Sequence, residues 1–262
     1  MALTDIRPTV RRRISRLSSY VVFVAIVVVL AFTADWPRIV KNFFNLSVAA
    51  HLWPGVLRAA LNTISYTLLS FAIGLVLAVI LALMKMSRGP FKWFAVAYIE
   101  LWRGLPALLT IFIFALAVPI AFPGAPSGIT GGLIGLVLVT SAYTAEIIRA
   151  GIVAVPNGQR EAARSLGMGY LRTTISVILP QAFRIVIPPL TNEVVALLKD
   201  TSLLYIAGAT KLTKELTQLG KDGLSTYANS TPLFVVAVFY LIITIPLTYL
   251  VGRLEKRMAV KK

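Results

Sequence analysis

The 262-residue sequence contains no cysteine and one histidine, His51. Without thiols there is no disulfide and no thiolate metal site, and a lone imidazole cannot build a histidine cluster around a metal. Acidic residues are scarce as well, 10 against 26 lysines and arginines, for a formal net charge of +16. An excess of this size suits nucleic acid only when it covers a folded polar surface. Here the basic residues sit between apolar runs, where they read as topology signals, so no nucleic-acid partner is expected. No Gly-x-x-x-x-Gly-Lys-Ser/Thr sequence is present, and Gly167-Met168-Gly169 lacks the preceding strand of a dinucleotide site. No nucleophile–base pair stands out, which leaves no catalytic residues to name and argues against a membrane-embedded enzyme.

What the chain has in abundance is apolar surface. Hydrophobic residues make up 58% and charged ones 14%, with a mean hydropathy of +0.83. A soluble domain cannot carry that composition, so the expectation is an all-α, polytopic membrane protein. Arg7, Arg11, Arg12, Arg13 and Arg16 precede a first apolar segment at about residues 17–34. It reads as a retained span or as a signal peptide; Phe32-Thr33-Ala34-Asp35 is a poor cleavage site, which favours the span.

Further spans are expected at residues 63–84, 107–122, 129–150 and 233–251. Lys85, Arg88 and Lys92 follow the second span, and an amphipathic, aromatic stretch from Phe91 to Trp102 leads through Arg103-Gly104-Leu105-Pro106 into the third. Gly131 and Gly135 lie four apart on the fourth, a spacing that lets another helix approach closely. Glu100 with Arg103, and Glu146 with Arg149, are spaced for pairing within a helix. Placing the basic N-terminus, the 85–92 connector, the 149–172 region and the 253–262 tail on one side of the membrane requires an even number of crossings. A less apolar segment at about residues 183–209 must then cross too. It contains Pro188-Pro189, Asn192-Glu193 and Lys199-Asp200-Thr201-Ser202. Ionisable residues at membrane depth face a protein interior or a watery cavity and mark pathways, although Lys199 and Asp200 also suit a structural pair. Residues 210–231 form a loop on the opposite side, with Lys211, Lys214, Glu215, Lys221 and Asp222 available to a soluble partner.

Between the fourth and fifth spans lies a polar island, Glu161-Ala162-Ala163-Arg164-Ser165-Leu166-Gly167. Asn157-Gly158-Gln159 offers turn and N-cap chemistry, Glu161 an acid in the first turn and Gly167 a stop. Ala162, Ala163 and Leu166 are expected on one side of this short helix, with Arg160, Glu161 and Arg164 around it.

The island continues to Val177-Ile178-Leu179-Pro180 and resembles the EAA loop of permease subunits from ATP-binding cassette importers. The family pattern is Glu-Ala-Ala, three residues, Gly, nine residues, Ile, any residue, Leu-Pro, and only Val177 departs from it. Glu100 to Pro106, Ser141 to Arg149, Gly158 to Glu161 and Lys199 to Leu203 resemble the polar amino acid uptake branch, with Leu105 where Thr is commoner. The resemblance covers roughly residues 58–252 and implies a five-span permease core plus one N-terminal span. It divides the chain into a basic N-terminus, extra span and connector (1–57), a permease domain (58–252) with its loop at about 151–180, and a basic tail (253–262).

It also implies ATPase-coupling residues Gln159, Glu161, Ala162, Ala163 and Gly167, and no cofactor bound by this chain, ATP and Mg residing on a partner. Cytoplasmic ATPases, a second permease subunit and an extracytoplasmic binding protein are the implied partners, and a polar amino acid the substrate. The substrate pathway would use Asn192, Glu193, Lys199, Asp200, Thr201 and Ser202, with Glu146 as a further candidate. Read without the resemblance, Glu193, Lys199 and Asp200 also suit the relay of an ion-coupled secondary transporter.

Overall fold

The computed structural model describes residues 8–258, with side chains from residue 18 onward. Arg7 and the end of the basic tail lie outside the described residues. No strand occurs among the described residues. Contacts divide the chain into two units, residues up to Leu46 and residues from Ser47.

In the first unit, α1 (Pro8–Thr33) carries basic and apolar segments in one uninterrupted helix, longer than the 17–34 segment expected. No Pro or Gly falls inside it to break it. It is followed by α2 (Trp36–Phe43). Asp35 caps α2 by accepting from the Arg38 N–H at 3.1 Å and pairs with the same residue's guanidinium at 2.9 Å.

The second unit holds α3 (Leu46–His51) from its second residue, α4 (Gly55–Met86), α5 (Pro90–Gly104) and α6 (Ala107–Ala121), then α7 (Gly128–Val153) and the short α8 (Asn157–Ser165). It closes with α9 (Tyr170–Ala207), α10 (Leu216–Tyr227) and α11 (Thr231–Met258). Among the described residues four helices, α4, α7, α9 and α11, are long and apolar enough to cross a membrane. The number is six if Ser18–Thr33 with Trp36–His51 and α5 with α6 each count as one crossing.

α7 is the centre of the second unit: 61% of its apolar window is buried, against 17% for α11. Glycines bring its neighbours to backbone contact. A Cβ at Gly131 would lie 2.2 Å from the Phe114 carbonyl oxygen, and one at Gly135 3.0 Å from that of Thr110. The expected Gly131/Gly135 face therefore receives α6. Gly74 of α4 meets Thr140, and Gly151 meets Val186 of α9. Gly74 with Thr140 and Lys85 with Glu146 make α4 and α7 parallel, while Gly151 with Val186 and Gly132 with Leu204 make α9 antiparallel to α7. Asn192 meets Glu255, so α11 runs back against α9. One end of the unit thus gathers Met86, Val153, α8 and Met258, and the other Gly55, Gly128, Ala207 and Thr231.

The expected third span, 107–122, is α6, set at 102° to the amphipathic α5 across Leu105-Pro106. At ~1.5 Å per residue α6 alone is roughly 22 Å long, short of the ~30 Å hydrocarbon core. The fifth begins at Tyr170 instead of 183, so residues 170–180 belong to a helix and the loop occupies only 154–169. Pro188 and Pro189 lie inside that helix without ending it. α4 starts at Gly55 and α11 continues to Met258.

Both α6 and α9 contain a π-helical turn, Ile113–Ala117 and Thr174–Ile178. Each turn ends two residues before a proline, Pro119 and Pro180. Widening the turn lets Val118 and Leu179 donate to Ile113 and Thr174, five residues back. The proline that follows then removes no donor the helix depends on.

Gly131→Leu is expected to cost about 3 kcal/mol or more, because the obstacle is backbone and cannot turn aside. Gly104→Ala, at a position with open space around it, is expected to leave stability nearly unchanged. Thermal unfolding of the detergent-purified chain measures both; equal losses would remove the α6–α7 contact from its central place.

Candidate functional site

The polar loop folds as a capped helix, though not with the cap expected. Pro156 precedes α8 and supplies no side-chain cap; Asn157 is already helical, and Glu161 is the fifth helical residue, outside the first turn. The C-terminus follows the sequence reading closely. Gly167 has φ +81°, the left-handed conformation that glycine adopts without strain. Met168 N–H donates to the Ala163 carbonyl at 3.1 Å and Gly167 N–H to that of Arg164 at 3.0 Å, the paired bonds of a Schellman end. Arg164 Nη1 returns to the Met168 carbonyl at 3.1 Å.

The expected apolar face of α8 is divided. Ala163 is buried, while Ala162 and Leu166 are exposed, Leu166 at 84%. Tyr170 and Leu171 are exposed beside it. Glu161, Arg160 and Arg164 are exposed too. Gln181 Nε2 donates to Gln159 Oε1 at 3.3 Å, which ties α8 to α9 three turns into that helix.

Glu146 lies near the same end of α7. Arg149 Nη2 donates to it at 2.6 Å, as the spacing predicted, and Lys85 Nζ of α4 donates at 3.0 Å. Lys85 had read only as a topology signal. Nothing in the spacing of residues 61 positions apart could announce that pair. The expected Glu100–Arg103 pair is not among the ion pairs of the described residues; Arg103 instead stacks over the Tyr143 ring at 5.4 Å.

On α9 the polar residues occupy two levels. Asn192 Nδ2 donates to Glu255 Oε1 at 2.6 Å, a contact with α11 that the sequence did not announce. Higher up, Lys199 is exposed to a cleft of about 480 Å³ shared with Thr244, Thr248, Tyr249, Arg253 and Lys256 of α11. A Lys199–Asp200 ion pair does not form among the described residues. Glu193, Asp200 and Ser202 are half-buried, and Thr201 is buried with its hydroxyl donating to the Leu198 carbonyl at 2.6 Å. The structure therefore groups the α9 residues along one helix and leaves Glu146 apart, committed to Lys85 and Arg149. Among the described residues no group of three or more His, Cys, Asp or Glu side chains is placed to hold a metal.

The loop at the opposite end corrects the reading of residues 210–231. Glu215 is fully buried rather than available to a partner. It caps α10, accepting from the N–H groups of Thr217 and Gln218 at 2.6 Å each, and the Tyr240 hydroxyl donates to it at 3.2 Å. Lys214 pairs with Asp222 at 2.5 Å, and Lys221 lies over the Tyr205 ring. Glutamate is not a preferred N-cap residue, so the sequence carried no cap signal here. Burial pushes the Glu215 carboxyl up to about 7, against the pull of its two backbone donors.

A bundle of membrane-length helices, with polar groups strung along one of them and a capped helix projecting from the basic end, defines an integral membrane transport subunit. Residues 74–260 match the family described as binding-protein-dependent transport system inner membrane component, and the chain belongs to that family. It is 39% identical over 198 residues to the probable glutamine ABC transporter permease protein GlnM of Bacillus subtilis, covering 75% of this chain and 90% of that one. It is 39% identical over 178 residues to the L-cystine transport system permease protein TcyB of the same organism, covering 68% and 76%. Among solved structures it resembles a crystal structure of an amino acid ABC transporter with histidines at a TM-score of 0.75 and 35% identity, covering 81% of this chain and 97% of that one.

A carboxyl whose pKa rises on folding binds more protons in the folded than in the unfolded state between its ordinary value, ~4.3, and about 7. Stability is therefore expected to fall as pH rises through that window, by on the order of 3 kcal/mol from this group. Thermal midpoints measured from pH 5 to 8 should decline in the native chain and decline less in Glu215→Gln. Equal slopes would exclude Glu215 as the source.

Proposed function

We propose that the chain is the membrane-spanning permease subunit of an ATP-driven importer for polar amino acids, and that α8 couples a partner ATPase to alternating access. The observation that carries this reading is α8 itself. It is a rigid, Schellman-capped helix with exposed Glu161, Arg164 and Leu166, joined to α9 through Gln159 and Gln181. Small residues permit close approach and charges set register against a partner surface. Family membership and relatives named for glutamine and cystine transport support the substrate class.

In this reading two such subunits, identical or related, bind two cytoplasmic ATPases and receive substrate from an extracytoplasmic binding protein. ATP and Mg belong to the ATPases. The end bearing Lys85, Arg88, Lys92, Arg149, Arg160, Arg164, Arg172, Arg253, Lys256 and Arg257 faces the cytoplasm, with both termini there, because basic loops are retained on that side. ATPase closure moves α8 and, through it, α9, opening the route past Asn192, Glu193, Lys199, Asp200, Thr201 and Ser202.

Copurification with an ATPase subunit separates this reading from an ion-coupled relay, which needs none. Glu161→Lys and Gly167→Val are expected to lower ATP-dependent uptake into vesicles at least tenfold while the subunit remains in the membrane. At Gly167 a Cβ meets open space, so the effect comes from the φ +81° backbone. Uptake unchanged by both substitutions would end the coupling role of α8.

A further inference from the structure

The corner between α1 and α2 is a fixed joint. The Trp36 indole N–H reaches back to the Ala31 carbonyl at 2.7 Å, in the last turn of α1, and the Thr33 hydroxyl donates to the Val29 carbonyl at 2.8 Å. Asp35 caps α2 through the Arg38 N–H, and Pro37 sets the backbone of its first turn. Across this joint the chain turns by 81° between Ser18–Thr33 and the helical stretch that begins at Trp36. α1 is 26 residues long, roughly 39 Å at the helical rise, enough to cross the ~30 Å hydrocarbon core by itself. From Ser18 to Thr33 its side chains are exposed on every side, Val21, Phe23, Val29 and Leu30 among them, as those of a lipid-facing helix are. A helix set at nearly a right angle to such a crossing runs along the membrane surface.

We infer that α2 is an interfacial helix, seated in the phospholipid headgroup layer with Trp36, Val40 and Phe43 toward the acyl chains and Arg38 and Lys41 toward headgroups and water. The inference goes beyond the permease reading and needs only that α1 crosses the membrane; in the orientation proposed above, the surface is the extracytoplasmic one. Three observations name lipid as what covers the apolar face. The joint holds α2 at the end of a crossing. At about 100° per residue Trp36, Ile39, Val40 and Phe43 share one arc of the helix, and Arg38, Lys41 and Asn42 share the opposite one, the division that an interfacial helix needs. Trp36, Val40 and Phe43 are exposed, no residue of α2 is buried, and two of the three are aromatic, the side chains that favour the membrane–water boundary. Continuing α2 as the second half of a broken crossing would carry Arg38, Lys41 and Asn42 into hydrocarbon. The Asp35–Arg38 pair is exposed on both partners and suits the headgroup level instead. Seated this way, α2 fixes the depth of α1 in the bilayer.

The absence of native cysteine makes the test direct. Arg38→Cys, Val40→Cys, Lys41→Cys and Phe43→Cys, each the only thiol, are spin-labelled in the full chain reconstituted into vesicles of phosphatidylethanolamine and phosphatidylglycerol. Collisions of the label with oxygen, which concentrates among acyl chains, are compared with collisions with a water-soluble nickel chelate. The oxygen-to-nickel ratio is expected to be severalfold higher at positions 40 and 43 than at 38 and 41. Val24→Cys, on the exposed surface of α1, should give a ratio at least as high as position 40; a low ratio there removes the crossing and overturns the inference. A high ratio at all four α2 positions means that α2 crosses the membrane, and a low ratio at all four means that it stands in water; either overturns the interfacial seat. Positions 40 and 43 shielded from both reagents are covered by protein, the remainder of the chain or a second copy, and that result overturns it too. If Phe43→Cys yields no inserted protein, positions 40 and 41 decide.

Discussion

A backbone amide in hydrocarbon has no water to turn to, and that constraint governs how this chain uses its prolines and its small residues. Pro119 and Pro180 each follow a widened turn in which the preceding residue bonds five positions back. Pro106 instead marks the bend where α5 and α6 separate by 102°. The same constraint acts between helices. At Gly131 the backbones of α6 and α7 approach so closely that no Cβ fits, and at Gly135 one would meet the Thr110 carbonyl oxygen at 3.0 Å. Such contact is what holds membrane helices together where lipid tails compete for every apolar side chain.

Side chains at depth obey a similar accounting. Thr63, Thr67 and Thr201 return their hydroxyls to carbonyls three or four residues back. Glu146 is closed between Lys85 and Arg149, and Asn192 against Glu255. Against this background the exposure of Lys199 in a cleft with Arg253 and Lys256 stands out. A lysine at this level is tolerated only where water or a polar cargo reaches it.

Much of this was legible in the sequence. Hydropathy pointed to the membrane-length helices α4, α7 and α11, parity asked for the one that α9 supplies, and the Gly131/Gly135 spacing pointed to the face on which α7 meets α6. Gly167 announced the end of α8 because only its φ value mattered there. What the sequence could not announce were relations set by packing. The start of α9 was placed too late because Tyr170 to Pro180, with Arg172, Thr173, Thr174 and Ser176 ahead of a proline, read as part of the loop, yet it is helical. Asn157 was read as a cap because asparagine usually is one, but Pro156 already fixes the entry backbone. Lys85 with Glu146 and Asn192 with Glu255 join residues dozens of positions apart. Glu215 was read as solvent-facing since charge in a loop normally is, and only the approach of α4 and α11 buries it.

α9 is the element in which these observations meet. Toward its inner end Gln181 bonds Gln159 of α8; at its other end, in the turn Thr201–Ala207, Lys221 of α10 lies over the Tyr205 ring. Between them it spans 38 residues, roughly 57 Å at the helical rise. It carries its polar residues toward α11 and rests on α7 through Gly151 and Gly132. α8 is therefore joined, by the chain and by a hydrogen bond, to a helix that reaches the opposite end of the bundle. That helix meets α8 and α11 through the polar side chains Gln181 and Asn192, whereas α6 and α7 meet backbone to backbone at glycine, so the two sets of contacts differ in kind.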